Sequence, residues 1–280
     1  MKRHARPVNA RRSLQSLVRI ALRHWDSDRG WRAIHALQTR DSPQALALAR
    51  CLSASPGWRR RCLGLHMASQ LRRGRGLSGA EYAREETQQL FLAALADPHA
   101  QVLCAAVSGL GHRPHPDALP RLITLASRGD ARLRWQVATA LGAYKEASAT
   151  EALVQLMKDP DADVRDWATF GLGSLHDADS PAIRAALWQG LEDSDADVRG
   201  EALIGLAERR DPGLIDYLVK HLGSDSRVYE LDAAEMLADP RLLAPLQAIE
   251  EKLQAAERQG YWFTCLQAAL GACQTGHAVS

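Results

Sequence analysis

Aromatic residues are scarce in this sequence: Phe, Trp and Tyr make up 5% of 280 residues, against 46% hydrophobic residues dominated by Ala and Leu. Strands draw on aromatic and β-branched side chains, so this balance favours closely packed short helices over a β fold. Long apolar runs are also missing. None approaches the roughly 20 residues that span a bilayer as a helix, which leads us to expect a soluble, cytoplasmic protein. The cysteines, Cys51, Cys62, Cys104, Cys265 and Cys273, are odd in number and contain no C-x-x-C pair. That pattern argues against a disulfide framework or a zinc site and for small buried hydrophobes in a reducing cytosol. Lysine is nearly absent, 5 residues against 30 arginines, a usage typical of a GC-rich bacterial genome. No nucleophile and base stand at a familiar spacing, and no cofactor fingerprint occurs.

What the sequence does have is a repeat. In residues 159–173, DPDADVRDWATFGLG, Val164, Ala168 and Leu172 fall at i, i+4 and i+8, an apolar helical stripe that another element must cover. Matching anchors are Val102, Leu133, Val198 and Val228, with weaker ones at Trp31, Trp58 and Trp262. Successive spacings are 27, 44, 31, 31, 34, 30 and 34, the length of a two-helix repeat. Three residues before the anchors stand Asp28, Ser55, His99, Asp130, Asp161, Asp195, Asp225 and Gln259. Six of these eight are good N-caps, whose side chains accept from an orphan N–H at a helix start.

The segments Asp161-Ala-Asp-Val-Arg165 and Asp195-Ala-Asp-Val-Arg199 resemble HEAT repeats of the short kind found in phycobilisome-lyase-like proteins. The resemblance covers residues 80–275 well and the first 75 poorly. It implies an all-α fold, a right-handed α-α superhelix or HEAT-like solenoid of seven to eight two-helix units. It also implies a ladder in which an aspartate six positions before an arginine pairs along the solenoid. Asp159 with Arg165 and Asp193 with Arg199 match that pattern, whereas Asp97 faces Leu103 and Arg134 faces Arg128, so two complete units are expected. The resemblance says little about activity.

In chain order, residues 1–9 read as a flexible basic tail and 10–76 as divergent basic repeats. Residues 77–280 read as regular repeats, continuous with the preceding ones in one elongated domain, since a solenoid needs no central core. The arginine-rich start also resembles a mitochondrial presequence. A first solenoid helix over 10–25 is the preferred reading, because arginine outnumbers lysine throughout. Further helices are expected at 30–40, 43–53 and 56–72. First helices of the regular repeats are expected near 80–96, 116–127, 148–158, 179–192, 212–222 and 240–255. The glycine-rich basic stretch 72–79 lacks the Gly-Lys-Ser/Thr ending of a phosphate loop and reads as an inter-repeat loop. In 112–116, two histidines on a proline-locked loop lack a third ligand, so no metal is expected.

On the second helices, positions two and six after each anchor point away from the stripe and position three lies on its flank. The solenoid resemblance places them on a concave, partner-facing surface. They are Trp135, Gln136 and Thr139; Asp166, Trp167 and Phe170; Gly200, Glu201 and Ile204; and Glu230, Leu231 and Ala234. Aromatic residues rimmed by acids make good interface anchors. Charge is polarised along the chain: residues 1–76 hold 17 Lys plus Arg and 3 Asp plus Glu, whereas the remainder holds 18 and 30. Ends several Debye lengths apart act as separate electrostatic surfaces.

The leading functional expectation is a protein-interaction module, without catalysis or cofactor, that grips a protein segment through Trp135, Gln136, Thr139, Asp166, Trp167, Phe170, Glu201, Ile204 and Glu230. The alternative is a nucleic-acid-binding protein, extending to base-excision chemistry by likeness to HEAT-like DNA glycosylases. There Arg59, Arg60, Arg61, Arg72, Arg73 and Arg75 would neutralise phosphates. A chromophore lyase or its accessory subunit follows only from the repeat subtype, and no reactive thiol is identifiable for it.

Overall fold

The computed structural model describes residues 12–40, 42–72 and 81–276. All sixteen α-helices among them belong to a regular alternation, and the chain divides into two compact units, Met1–Tyr144 and Lys145–Ser280. The first unit contains α1 (Leu14–Arg23), α2 (Asp28–Gln38), α3 (Pro43–Ser53), α4 (Trp58–Ser69), α5 (Arg84–Ala94), α6 (Ala100–His112), α7 (Leu119–Ala126) and α8 (Ala131–Leu141). The second contains α9 (Ala147–Leu156), α10 (Ala162–Ser174), α11 (Pro181–Gly190), α12 (Ala196–Glu208), α13 (Pro212–His221), α14 (Val228–Leu237), α15 (Leu243–Lys252) and α16 (Tyr261–Thr275). Each unit is four helix pairs, and the change of composition near residue 76 lies inside the first.

Within each unit an odd helix packs on the following even helix, and the even helices pack on one another: α2, α4, α6 and α8 in the first, α10, α12, α14 and α16 in the second. Small residues permit that close stacking. A Cβ on Gly205 would lie 2.7 Å from the Gly173 Cα, so α10 and α12 meet backbone to backbone. The apolar stripe is the core: Val164, Ala168 and Leu172, like Leu206 and Ala202, are fully buried.

Capping fixes the register. Asp130, Asp161 and Asp195 accept from the N–H of Leu133, Val164 and Val198 at 2.9, 3.3 and 3.2 Å. His99 Nδ1 accepts from Gln101 N at 3.3 Å. At the four other positions the helix start lies elsewhere, against expectation for Asp28, Ser55 and Asp225. Ser27 rather than Asp28 caps α2; Gly57 rather than Ser55 precedes α4; Arg227 rather than Asp225 precedes α14; and Gly260 rather than Gln259 precedes α16. The anchors Val102, Leu133, Val164 and Val198 all sit at the third helical position. Trp58 and Val228 instead open their helices, because a Trp or Val at a helix start satisfies the apolar spacing without occupying the core stripe.

Candidate functional site

Two arginine devices hold successive repeats together and thereby set the surface. The Arg165 guanidinium on α10 reaches forward to the Asp193 carboxylate, which precedes α12, through two bonds of 2.7 and 2.8 Å, while also donating back to the Asp159 carbonyl at 2.9 Å. Asp193 simultaneously accepts from Asp195 N at 2.8 Å. The guanidinium therefore holds the Asp193 carboxyl below the usual carboxylate range, against the upward push of burial. In the first unit, Arg61 on α4 makes the same bidentate pair with Asp97 at 2.7 and 3.0 Å.

This geometry is the expected ladder between neighbouring repeats, corrected at Asp97. Asp159 and Arg165, or Asp193 and Arg199, do not form rungs within a repeat. Arg165 and Arg199 bond the carbonyls of Asp159 and Asp193, and a rung joins an arginine to the aspartate of the next repeat. Asp97 has its rung although Leu103 stands in its own repeat, because Arg61 supplies the guanidinium. Arg61 is accordingly engaged by a carboxylate rather than presented as a phosphate ligand. Arg59 and Arg60 are exposed, Arg72 is half-buried in a short bridge to Glu81, and Arg73 and Arg75 lie outside the described residues, as does the 1–9 tail.

The second device, which the sequence reading does not anticipate, is a guanidinium turned onto backbone carbonyls. Arg113, after α6, is 1% exposed. It donates to the carbonyls of Ser69 at 3.0 Å, Tyr82 at 2.8 Å and Leu71, and to Thr87 Oγ1 at 2.7 Å. Arg209, after α12, donates to the carbonyls of Leu172, Gly173, His176, Ala178 and Gly205 at 2.8–3.1 Å. Burial lowers the basicity of both. Each satisfies the orphan carbonyls at the end of the preceding even helix. An arginine directly after a second helix is the signal that could have found them.

With the scaffold fixed, the second unit presents an acidic and aromatic face along α10, α12 and α14. Asp166 and Trp167 are half-buried on α10, and Trp167 meets Phe170 edge to face, ring centroids 5.7 Å apart. The next repeat has Gly200 where α10 has Asp166, and the Tyr229 ring of α14 lies over it, 2.2 Å from where a Cβ would stand. Tyr229 donates its hydroxyl to Glu201 Oε1 at 3.2 Å. Ile204 is half-buried beside them. Partial burial, then the neighbouring Asp197, Asp195 and Asp163, push the Asp166 carboxyl up to about 6. Burial and Asp166 also raise Glu201, although the Tyr229 bond opposes this. Among the described residues no cation pairs with Asp166 or Glu201, while Arg227 at the rim pairs with Asp197 at 2.7 Å.

On α14 the expectation fails in register. Leu231 and Ala234 are fully buried, and the Glu230 carboxylate accepts from Arg227 N at 2.9 Å, capping its own helix. Tyr229 and Asp232 are half-buried on either side of Glu230 and Leu231, and Tyr229 is the α14 side chain that meets Glu201. In the first unit, Trp135, Gln136 and Thr139 are half-buried on α8, and the Thr139 hydroxyl bonds back to the Trp135 carbonyl at 3.0 Å.

The remaining candidate groups are engaged or isolated. Cys62, Cys104, Cys265 and Cys273 are buried and Cys51 is exposed, all as free thiols. His112 bonds Gln70 at 3.2 Å and His115 accepts from Asp117 N. No group of three metal-ligating side chains occurs among the described residues, and none of their helices is long and apolar enough to cross a membrane.

Comparison with known proteins agrees with the repeat geometry. The family model for HEAT repeats matches residues 88–173 and 150–238, which together span more than half of the chain. No curated protein gives a significant sequence match. The X-ray structure of YibA from Escherichia coli superposes with a TM-score of 0.70 at 24% identity, covering 98% of this chain and 99% of that one. A crystal structure of an engineered protein gives 0.51 at 19% identity, over 93% of this chain and 78% of that one. The complex of CpcE and CpcF of phycocyanin lyase from Nostoc sp. gives 0.48 at 15% identity, over 90% of this chain and 99% of that one. These likenesses concern the fold. With four stacked helix pairs in each unit and its matched repeats, the chain belongs to the HEAT-repeat family.

Proposed function

We propose that the chain is a protein-interaction scaffold whose α10–α12–α14 face holds a basic segment of a partner protein. HEAT repeats present extended surfaces suited to such segments. The observation that carries the reading is the pair Asp166 and Glu201. Both are half-buried carboxylates without a cation, in a unit where Arg165, Arg184, Arg227 and Arg209 are committed to Asp193, Asp211, Asp197 and backbone carbonyls. A lysine or arginine from a partner would relieve that repulsion, and Trp167, Phe170, Tyr229 and Ile204 supply apolar contact around it. Trp135, Gln136 and Thr139 offer a similar aromatic turn on α8 of the first unit.

The test is fluorescence anisotropy with a labelled peptide of arginines interleaved with leucines, against a glutamate-for-arginine control. Binding should favour the basic peptide, weaken at least tenfold in Asp166→Asn, Glu201→Gln, and strengthen as pH rises through about 6 and Asp166 ionises. Equal binding of both peptides, or an unaffected double variant, would sink the assignment.

A further inference from the structure

A second surface is marked by a local rule that the first unit breaks. Acidic side chains are favoured in the first turn of a helix because the N-terminal end carries partial positive charge. On α10 and α12 of the second unit the sequence obeys, with Asp163 and Asp197 as second residues, while α14 and α16 have Tyr229 and Trp262 there. The equivalent residues of α2, α4 and α8 are Arg29, Arg59 and Arg132, with Gln101 on α6 between them, and the first turns of α4, α6 and α8 contain no acid. Arg60 follows Arg59 on α4. All four arginines are exposed, and among the described residues none is paired with a carboxylate. Asp26 and Asp28, beside Arg29, are the only acids among described residues 12–72, where eleven arginines occur.

The starts of α2, α4 and α6 are neighbours in space, and α8 packs on α6. The Trp25 ring, just before α2, stands edge-on to Trp58 at 5.6 Å, and Trp58 stacks on His99, the cap of α6, at 4.4 Å. The Arg59 guanidinium covers the Trp58 ring at 5.0 Å. The aromatic contacts therefore staple one edge of the unit, and the arginines project along it.

We propose that this edge docks the phosphate backbone of a nucleic acid, independently of the peptide-binding face. Arginine binds phosphate oxygens in a planar fork, and side chains placed against the helix dipole are retained where function requires them. An acidic protein is the poorer fit. Protein partners need desolvated apolar anchors, and the rings here are already engaged by Trp25, His99 and Arg59, leaving an edge of charge. Such an edge binds without reading bases, and its affinity falls steeply with salt.

The experiment is anisotropy of a fluorescein-labelled 20-base-pair DNA duplex with the full chain across a salt series. The comparison protein is the Arg29→Gln, Arg59→Gln, Arg60→Gln, Arg132→Gln variant, which retains the basic first twelve residues. Wild type should bind at low salt. The variant should bind at least tenfold more weakly, with a log–log salt slope shallower by about 0.9 for each phosphate no longer neutralised, up to about 3.6 for four. Its thermal midpoint should be equal or higher, since cations leave helix starts. Absence of duplex binding by folded wild type, or an unchanged slope in the variant, overturns the proposal. So does polyglutamate bound as tightly as DNA at equal salt, which would make the partner an acidic protein.

Discussion

The two units share their internal joinery and differ in what they turn outward. Arg61 and Asp97 in the first are matched by Arg165 and Asp193 in the second, and Arg113 by Arg209. Yet the second residue is Arg29, Arg59 or Arg132 on α2, α4 and α8, and Asp163 or Asp197 on α10 and α12. Stacking depends on the stripe, the small residues and the arginines that face neighbouring repeats. Surface charge is left free to change sign without altering the repeat.

The largest expected difference between the units comes from their carbonyl-bound arginines. Arg113→Leu should cost about 3–5 kcal/mol, because four buried acceptors are deprived of a charged donor together. The more exposed Arg209 should cost less in Arg209→Leu, about 2–4 kcal/mol. Chemical denaturation measures both, and equal destabilisation would break the distinction. Next is Gly200→Ala, which drives a methyl into the Tyr229 ring and should cost about 1–3 kcal/mol, and Gly109→Ala against the Phe91 ring in the first unit should cost a similar amount. Double-mutant cycles on Arg61/Asp97 and Arg165/Asp193 should give similar couplings of about 1–2 kcal/mol, since the pairs have the same bidentate geometry. A large disparity would show that the shared joinery is only formal.

The smallest effect is pH dependence in the second unit. Asp166 titrates near 6 when folded, against an ordinary aspartate value of 3.8, so between those values the folded state holds more proton than the unfolded state. Its contribution is present at low pH and lost as pH rises from about 4 to about 6. Allowing for solvent screening of a half-exposed group, it amounts to no more than about 1 kcal/mol. Asp166→Asn should flatten this part of the stability profile, and an unchanged slope would assign it to other carboxylates.

Much of the fold is legible in the sequence because capping and apolar periodicity agree there: Asp130, Asp161 and Asp195 stand three residues before buried anchors. Legibility falls where an anchor is Trp58, Trp262 or Val228, since a large apolar residue satisfies spacing in more than one register. The same ambiguity puts Leu231 and Ala234 on the expected outward face of α14, where Tyr229 is the residue that meets Glu201. Arg113 and Arg209 leave little local trace because most of their partners are carbonyls more than 25 residues away, and every residue has a carbonyl.

Arg113 binds the carbonyls of Leu71 and Tyr82, and Arg72 bridges Glu81 beside them, so the two chain ends flanking residues 73–80 are clamped together without a covalent link. The clamp makes the length of the intervening peptide nearly irrelevant to the packing of α4 against α6, because extending a closed loop adds cost only logarithmically. This is therefore where the chain can accept a foreign sequence, a reporter or a protease site, and still hold its repeats in register after cleavage.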